Sequence, residues 1–455
     1  MRGMRPNGVR VLEGSLEVPG GGLKTSLIDR LRCSCGSNEF RWEGGDVPAV
    51  SREREQPRRI HCKCGRVWPV IDGIPVFAEK ILAIDHSQGI RVVETDPQND
   101  PRWEPFVSGQ PESSVYHHAA WITALEREYG QNGGHLACES IDGEILAVLP
   151  LLQTRGFPFS RGGLLTTRRL SSLPRTPIAG PLSTDPIATV ALFKEAMRRA
   201  DHAGRVQLQL KAQRAEFDGL VDGLACTQWR LSYLLDISQF SGGGFRVPNT
   251  HTRATIKWAI NKATRLGVRV RVAESESDLR AWYMLYLEAM RRNAVPARSY
   301  RFFSSLWDLL RPKGMMELLI AEQQGTGRAT MLAGSIFLMW GKTVSYAFNG
   351  SRRRYLSLRP NDVIQWRAIN DACTKGFKLF DFGEVAEEHS ELATFKRKWG
   401  AQPTRLYRYY YPAPSVPNMG IVASKGKRRR IAEAVWRIVP LRVTAWLSDQ
   451  VYRFL

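Results

Sequence analysis

The stretch NDVIQWRAINDACTKGFKLFDFG, residues 361–383, decides the fold class of this chain. Residues 361–375 repeat apolar side chains at helical spacing, and Gly376 follows as a C-terminal cap. The apolar run from Phe377 to Phe382 then predicts a buried strand. A helix, a glycine and a buried strand in this order predict an α/β (α+β) fold with mixed sheets.

Working outward, the same logic predicts a complete domain over residues 250–412. From residue 268 its elements follow the order β-α-α-β-β-β-α-β-α-β. A shorter version, with the helix-glycine-strand unit at Gly204, covers residues 113–245. We therefore predict two related domains in tandem, the first of them degenerate.

Four further segments complete the predicted organisation. Residues 1–30 are a glycine-rich flexible arm, residues 31–80 a small cysteine-bearing module, residues 81–112 a linker, and residues 413–455 a basic amphipathic tail.

Composition and charge narrow the class of protein. The chain has 455 residues, of which 43% are hydrophobic and 24% charged, and this excludes wholesale disorder. The N-terminus has no apolar core, and the longest uncharged apolar stretch, residues 331–340, is too short to span a bilayer, so we expect a cytoplasmic protein. The net charge is +21, and the excess of Lys and Arg lies in residues 251–455. A basic half of this kind predicts an anionic partner.

The cysteine-bearing module predicts a structural zinc ion. Its ligands would be four thiolates, which suit tetrahedral zinc: Cys33, Cys35, Cys62 and Cys64. Residues 68–76, WPVIDGIPV, resemble the end of the small zinc ribbon of tRNA-methyltransferase activators. Each cysteine pair is one residue shorter than the usual Cys-x-x-Cys, so two alternatives stay open: His61 as a substitute ligand, or a ribbon that keeps its sheet without metal.

The tandem domains resemble the Fem-type peptidyltransferases, more closely the FemAB-like proteins of bacterial exopolysaccharide clusters. The resemblance covers about residues 112–445. Its motifs are LAVLPL at 146–151, LRPN at 358–361 with WRAI at 366–369, FDFG at 380–383, FKRKWG at 395–400 and VWRIVPL at 435–441. It implies the fold of the Gcn5-related acetyltransferases (GNAT), in which central strands splay to admit an acyl donor. It also implies transfer of an aminoacyl or acyl group to an amino group in cell-wall or exopolysaccharide metabolism.

The donor remains open between aminoacyl-tRNA and acyl-CoA. The acyl-CoA signature of ordinary GNAT enzymes, Gln/Arg-x-x-Gly-x-Gly/Ala, is absent. Arginines stand at residues 352–354, after the third strand of the set, but the glycines of the signature do not follow them. We therefore favour aminoacyl-tRNA, with acyl-CoA as the alternative. A lipid- or nucleotide-linked saccharide or peptide is the expected acceptor. A non-catalytic RNA- or complex-binding scaffold is a third hypothesis.

Three residues are the catalytic candidates. The chain has no Gly-x-Ser-x-Gly elbow and no His-Glu-x-x-His motif, which favours direct transfer in a ternary complex. Asp381, at the end of a buried strand, or Glu384 would accept the proton of the amine. Lys396 would stabilise the developing oxyanion or an adjacent phosphate. The alternative is that Asp381 bonds backbone amides of the next loop and that the charges are solvated.

Six further residues are candidates for substrate binding. They lie at the end of the central hairpin, on the basic helix at the domain junction, and in or after the loop that follows Asp381: Tyr346, Asn349, Arg253, Lys257, His389 and Arg397. Cations at helical spacing bind phosphates, although such residues more often form a solvated helix face.

The tail carries a basic run, residues 425–430, ahead of apolar and tryptophan residues. This pattern is equally compatible with two alternatives. The tail either binds anionic membranes, which would place the protein at the inner face of the membrane, or packs on the second domain.

Overall fold

The structure is a computed structural model that describes residues 40–42, 58–63, 67–71, 74–75, 78–85, 88–154, 168–204, 206–240, 242–248, 250–324, 329–386, 389–413 and 434–452. The strands are β1 (Phe40–Trp42), β2 (Arg58–Cys62), β3 (Val67–Ile71), β4 (Ile74–Pro75), β5 (Ala78–Asp85), β6 (Ile90–Thr95), β7 (Leu136–Ser140), β8 (Ile145–Leu149), β9 (Leu152–Thr154), β10 (Arg169–Ser171), β11 (Leu182–Ser183), β12 (Gln207–Ala212), β13 (Ala225–Asp236), β14 (Val268–Val272), β15 (Met316–Gln323), β16 (Thr330–Trp340), β17 (Thr343–Ser351), β18 (Leu379–Val385) and β19 (Gln402–Tyr411). The α-helices are α1 (Trp103–Gly109), α2 (Ala119–Tyr129), α3 (Pro186–His202), α4 (Thr250–Arg265), α5 (Glu276–Arg292), α6 (Tyr300–Leu310), α7 (Pro360–Thr374), α8 (Ser390–Arg397) and α9 (Leu441–Tyr452). Short 3-10 segments cover Val115–His117, Ser238–Phe240 and Arg353–Leu358.

The N-terminal module is an antiparallel sheet in the order β1-β2-β3-β4. Cys62 is the last residue of β2, and its backbone pairs with Phe40 of β1. The other three predicted ligands, Cys33, Cys35 and Cys64, lie outside the described residues.

The first half is built on a five-stranded sheet in the order β11-β8-β7-β6-β5, with α3 packed against it. Much of residues 81–112, which we predicted as a linker, belongs to this sheet and to α1. Ile90, Val92 and Val93 of β6 are buried. The sequence did not predict this strand, because the Asp, Pro and Asn residues that follow β6 are typical of a linker.

The second half has the predicted order of elements, from β14 to β19. Its strands run β14-β15-β16-β17-β18 and are covered on both faces. Leu318 and Ile320 of β15 pack with α5 and α6, whereas Leu319 and Ala321 pack with α4 and α7. This alternation is the period of two that a strand imposes on its side chains.

The two halves share one ten-stranded sheet, because each half places a strand in the sheet of the other. β13 of the first half lies between β18 and β19 of the second, and β19 pairs with β12 of the first. The full order is β14-β15-β16-β17-β18-β13-β19-β12-β10-β9. Leu234 of β13 pairs with Asp381 of β18, which brings first-half side chains to the predicted catalytic strand.

A continuous core joins the halves. α2 packs on α6, with the rings of Trp121 and Phe302 edge to face at 5.3 Å. Beside them the buried Arg298 forms an ion pair of 2.5 Å with the buried Glu128 of α2. Within the described ranges, no helix combines the length and the hydropathy needed to cross a bilayer.

Candidate active site

The central strands β17 and β18 pair over three residues and then diverge. Their parallel register joins Thr343 to Leu379, Val344 to Phe380 and Ser345 to Asp381, after which β17 continues to Ser351 paired with β16 and not with β18. The register of β17 against β16 also shifts just beyond this point. The strands therefore splay at Asp381, and those backbone groups of β17 beyond Ser345 that point towards β18 face a cleft instead of a ladder partner in the described chain.

Asp381 stands at the start of this cleft. Its Oδ1 accepts hydrogen bonds from Ser232 Oγ at 3.0 Å and from the Gly383 amide at 2.7 Å. The backbone can turn in this way because Gly383 has a φ of 76°, in the left-handed region that favours glycine. Burial raises the pKa of Asp381 above its usual range, although these hydrogen bonds and the nearby Lys396 oppose the shift. Among the described residues Oδ2 accepts no hydrogen bond, so this oxygen is available to a proton.

Lys396 reaches the same turn from α8. Its side chain is only 3% exposed, and Nζ donates to the carbonyl oxygens of Gly383 at 2.8 Å and Glu384 at 3.3 Å. Burial lowers its pKa to about 8, while the charges of Asp381 and Glu384 act in the opposite direction. Gly383 thus gives its amide to Asp381 and its carbonyl to Lys396. The structure brings two of the three catalytic candidates together at one turn.

Glu384, the third candidate, is already paired. Its carboxylate accepts from Trp229 Nε1 at 3.1 Å and from the Arg230 guanidinium at 3.2 Å, and Arg408 lies at 3.6 Å. These donors come from β13 and β19, the strands that cross between the halves. A carboxylate held by two arginines is poorly suited to accept a proton, so the geometry favours a positioning role for Glu384.

Tyr346 and Asn349 line the β17 side of the cleft. The Tyr346 ring lies 6.4 Å from the ring of Phe382, and burial raises its pKa to about 12. Asn349 Oδ1 accepts from Ser335 Oγ at 3.1 Å. The Tyr346 ring thus lies between Phe337 of β16 and Phe382 of β18, and its side chain, like that of Asn349, interacts with Ser335 of β16.

The other four substrate-binding candidates make no recorded contact with Asp381. Arg253 donates to the carbonyl of Val247, and Lys257 is exposed on the outer face of α4. His389 is an exposed residue at the start of α8. Arg397, also exposed, lies with its Cζ 5.6 Å from the ring centre of Tyr233. These residues belong to surfaces around the cleft.

Sequence reasoning missed the polar groups on the buried side of α7. Gln365 is 1% exposed, and its amide approaches the side chain of Tyr346 without a hydrogen bond of ordinary geometry in the described structure. Asn361, one turn earlier, has a side-chain oxygen without a hydrogen-bond partner among the described residues. The available signal was a glutamine among the apolar residues of the helix's inner face. Unpartnered buried amides are costly, and they mark a place where a ligand can supply the missing bonds.

The sequence also gave no sign of the first-half groups that approach the carboxylates. The hydroxyl of Tyr116 is buried, and the charges of Asp381 and Glu384 help burial to raise its pKa. Lys211 is buried behind Glu384, and its Nζ donates to the carbonyl of Leu173. Burial, with repulsion from Arg408, lowers the pKa of Lys211 well below its usual value. Only the strand exchange places these residues beside β18.

Comparison with known proteins agrees with the geometry of the second half. Residues 250–397 match the family model for the Acetyltransferase (GNAT) domain. No curated protein sequence matches the chain significantly.

Solved structures extend the likeness to both halves. A crystal structure of FemX matches with a TM-score of 0.52 at 14% identity, covering 73% of this chain and 98% of that one. The structure of L-PGS from Bacillus licheniformis matches with a TM-score of 0.47 at 14% identity, covering 71% and 94%. A tandem GNAT protein of the clavulanic acid biosynthesis pathway matches with a TM-score of 0.41 at 12% identity, covering 70% and 97%. At these identities the likeness to FemX shows the fold alone. Residues 250–397 therefore match a GNAT-type acetyltransferase domain, which supports an acyltransferase, and the likeness to FemX is one of fold.

Proposed function

We propose that the protein transfers an aminoacyl group from an RNA-linked donor to an amino group, with both substrates bound in the cleft between β17 and β18. The observation that carries this proposal is the placement of Asp381 and Lys396 on the amide and the carbonyl of one residue, Gly383, where the strands splay. An amine needs a proton acceptor as it attacks, and the carbonyl oxygen of the donor needs a cation or N–H donors.

The roles follow from the hydrogen-bonding positions that the two side chains still have available, namely Oδ2 of Asp381 and one N–H group of Lys396. The amine adds to the donor carbonyl carbon, and Asp381 Oδ2 takes the proton that the nitrogen loses. Two of the three N–H groups of the Lys396 ammonium are bonded to carbonyls, which leaves one for the oxyanion. Collapse of the intermediate breaks the bond to the donor oxygen, and Asp381 returns the proton to that oxygen. The products are an amide and the free hydroxyl of the donor.

The outer surface of α4 supports an RNA-linked donor. Trp258 is 46% exposed, and Lys262 and Arg359 hold their cations 5.2 Å and 5.1 Å from its ring centre. With Lys257 and Arg265 it lines a surface cavity of about 610 Å³. An aromatic platform among cations is the usual means of binding a nucleic acid strand without sequence preference.

The placement of this surface relates it to the cleft. Arg359 is the residue that precedes α7, whose inner face carries Gln365 beside Tyr346 of β17. No Asp or Glu occurs between Asp236 and Glu274, so nothing along α4 offsets its charge. A row of cations along a helix of about 24 Å suits repeated phosphates better than a single diphosphate. Acyl-CoA remains the second candidate, because the start of α7 alone could bind its diphosphate.

We further propose that the acceptor is an amine on a lipid- or nucleotide-linked saccharide or peptide of the cell wall or exopolysaccharide. Its support is the resemblance in sequence motifs and the first-half groups, Ser232 and Tyr116, that border Asp381. A structural zinc ion in the N-terminal module belongs to this proposal as well. The part of the chain that is described holds no cluster of three metal-ligating side chains, and three of the four cysteines lie outside it.

The test is a donor screen with the full-length protein. A pool of aminoacyl-tRNAs and a panel of acyl-CoAs are each mixed with amine acceptors, and products are detected by mass shift. We expect aminoacyl transfer from tRNA that Trp258→Ala weakens by about 5- to 150-fold in donor affinity, the range of one lost base stack. Lys194→Glu, an exposed charge on α3, serves as the control and should leave transfer unchanged.

Other outcomes are equally decisive. Acyl transfer from CoA alone would replace the RNA-linked donor with the second candidate. RNA binding without turnover of any donor would contradict an enzymatic role and favour the scaffold.

A further inference from the structure

The C-terminal helix α9 packs on the second half. Its Ser448 Oγ accepts a hydrogen bond from the Ala297 amide at 3.1 Å, and Leu441 and Ala445 pack against the large core. The preceding turn is tied to α5, since Arg291 donates to the carbonyl of Val439 at 3.1 Å. Of the two alternatives for the tail, packing on the core therefore holds for the described residues 434–452.

α9 buries two hydroxyl side chains beside its apolar contacts and leaves two large apolar side chains exposed. Thr444 and Ser448, one turn apart, are 0% exposed. Val443 and Trp446, which point away from them, are 44% and 61% exposed. A surface helix normally buries its apolar stripe and exposes its polar one.

The helix is attached through the apolar contacts of Leu441 and Ala445 and through one inward hydroxyl, that of Ser448. Thr444 Oγ1 donates to the carbonyl of Pro440 at 3.1 Å, and Ser448 is bonded to Ala297, so both buried hydroxyls are satisfied. Small side chains also permit close approach to α5. The outward apolar residues therefore contribute little to the packing of the helix on the protein.

The exposed apolar surface continues beyond α9. Ile438 is 79% exposed and Val435 is 52% exposed, so apolar side chains are exposed on both sides of Pro440 along the chain. Arg437 and Arg442 are exposed in the same segment. Just upstream in the sequence stand Lys425, Lys427, Arg428, Arg429 and Arg430. Exposed apolar and tryptophan side chains with exposed arginines, close in sequence to such a basic run, match an anionic lipid surface, which offers an acyl boundary and negative headgroups together.

We propose that this surface, formed by Val435, Ile438, Val443 and Trp446, docks the protein on anionic lipid bilayers. The opposite side of α9, which carries Thr444 and Ser448, packs on the rest of the protein. The packing of α9 on α5 fixes how the acyltransferase domain is presented to the bilayer. The proposal does not depend on which donor the cleft uses.

Vesicle flotation of the full-length protein tests the proposal. The probe is a vesicle of phosphatidylglycerol and phosphatidylcholine, compared with phosphatidylcholine alone. We expect binding to the anionic vesicles only, weakened at high salt, and reduced at least tenfold in Val443→Ser/Trp446→Ser. Ile187→Ser, which removes an equally exposed apolar side chain from α3, is the matched control and should bind like the unaltered chain.

Two controls separate the proposal from its competitors. The melting temperature and the transfer activity on a soluble acceptor should not change in the double variant, because its side chains point away from the core and the cleft. Equal flotation of both variants, or no flotation with anionic vesicles, would overturn the proposal. Sedimentation showing that the surface joins two copies of the chain, and that the double variant is monomeric, would also overturn it.

Discussion

Replacing Lys396 by methionine should alter the pH dependence of folding stability. Burial lowers the pKa of Lys396 from 10.5 to about 8, and the side chain is almost fully enclosed, so solvent screens little of this effect. The folded chain then holds the proton more weakly than the unfolded chain. The resulting cost to stability is present in full below pH 8 and is relieved as the pH rises from 8 towards 10.5.

The size of the effect follows from the two pKa values. A lowering of about 2.5 corresponds to about 3.4 kcal/mol at pH 7. At pH 9.5 the folded chain has lost this proton and the unfolded chain still holds most of it, which leaves about 1.4 kcal/mol. The wild-type protein should thus gain about 2 kcal/mol relative to Lys396→Met between the two pH values. The variant also loses the hydrogen bonds from Lys396 to the carbonyls of Gly383 and Glu384. The part of this free-energy loss that is independent of pH is the same at both pH values and cancels in the comparison.

Urea unfolding of both proteins at pH 7 and pH 9.5 measures this difference directly. Lys194→Met, which removes an exposed lysine from α3, should show no such change and serves as the control. If Lys396→Met and the wild-type protein differ by the same free energy at both pH values, Lys396 is not a desolvated ammonium. Its proposed role opposite the oxyanion would then lose its physical basis.

Three further predictions concern activity, packing and metal. Asp381→Asn should lower the rate about 10²–10⁴-fold with little change in melting temperature, and Glu391→Gln on the exposed side of α8 should not; a fully active Asp381→Asn would refute the general-base role. Glu128→Gln should reduce the free energy of unfolding by about 3–5 kcal/mol, because it leaves Arg298 buried without its carboxylate, and urea unfolding that shows a loss below about 1 kcal/mol would contradict this. Elemental analysis of protein purified without chelator should find about one zinc per chain, and chelation should loosen only the 31–80 module; a content well below one would exclude the metal.

The second half could be predicted from the sequence because its signals are local. The helix before Gly376 and the strand after it are encoded by spacing and by a capping glycine, and both are present in the structure. The expected fold predicts that Asp381 and Lys396 lie close together. In the structure both side chains are hydrogen-bonded to the backbone of Gly383. Their catalytic roles remain predictions.

The first-half contribution to the site could not be predicted in this way. Ser232 and Trp229 stand in β13, about 150 residues before their partners Asp381 and Glu384. No periodicity within β13 indicates that it inserts between two strands of the other half. The pairing depends on which sheet edges are left open once both halves have folded, and this is a property of the assembled chain.

The exchange of β13 and β19 has a consequence for synthesis on the ribosome. β12 cannot pair with β19, residues 402–411, until that strand is synthesised about 190 residues later. β13 likewise cannot pair until β18 and β19 have been synthesised. The first half therefore leaves the ribosome with an unpaired sheet edge, which is open to wrong partners until almost the whole chain has been made. Cutting the chain between the halves would make this exposure permanent in both fragments. The acyltransferase domain and the half before it are thus a single unit of folding, and we expect neither to be soluble when expressed alone.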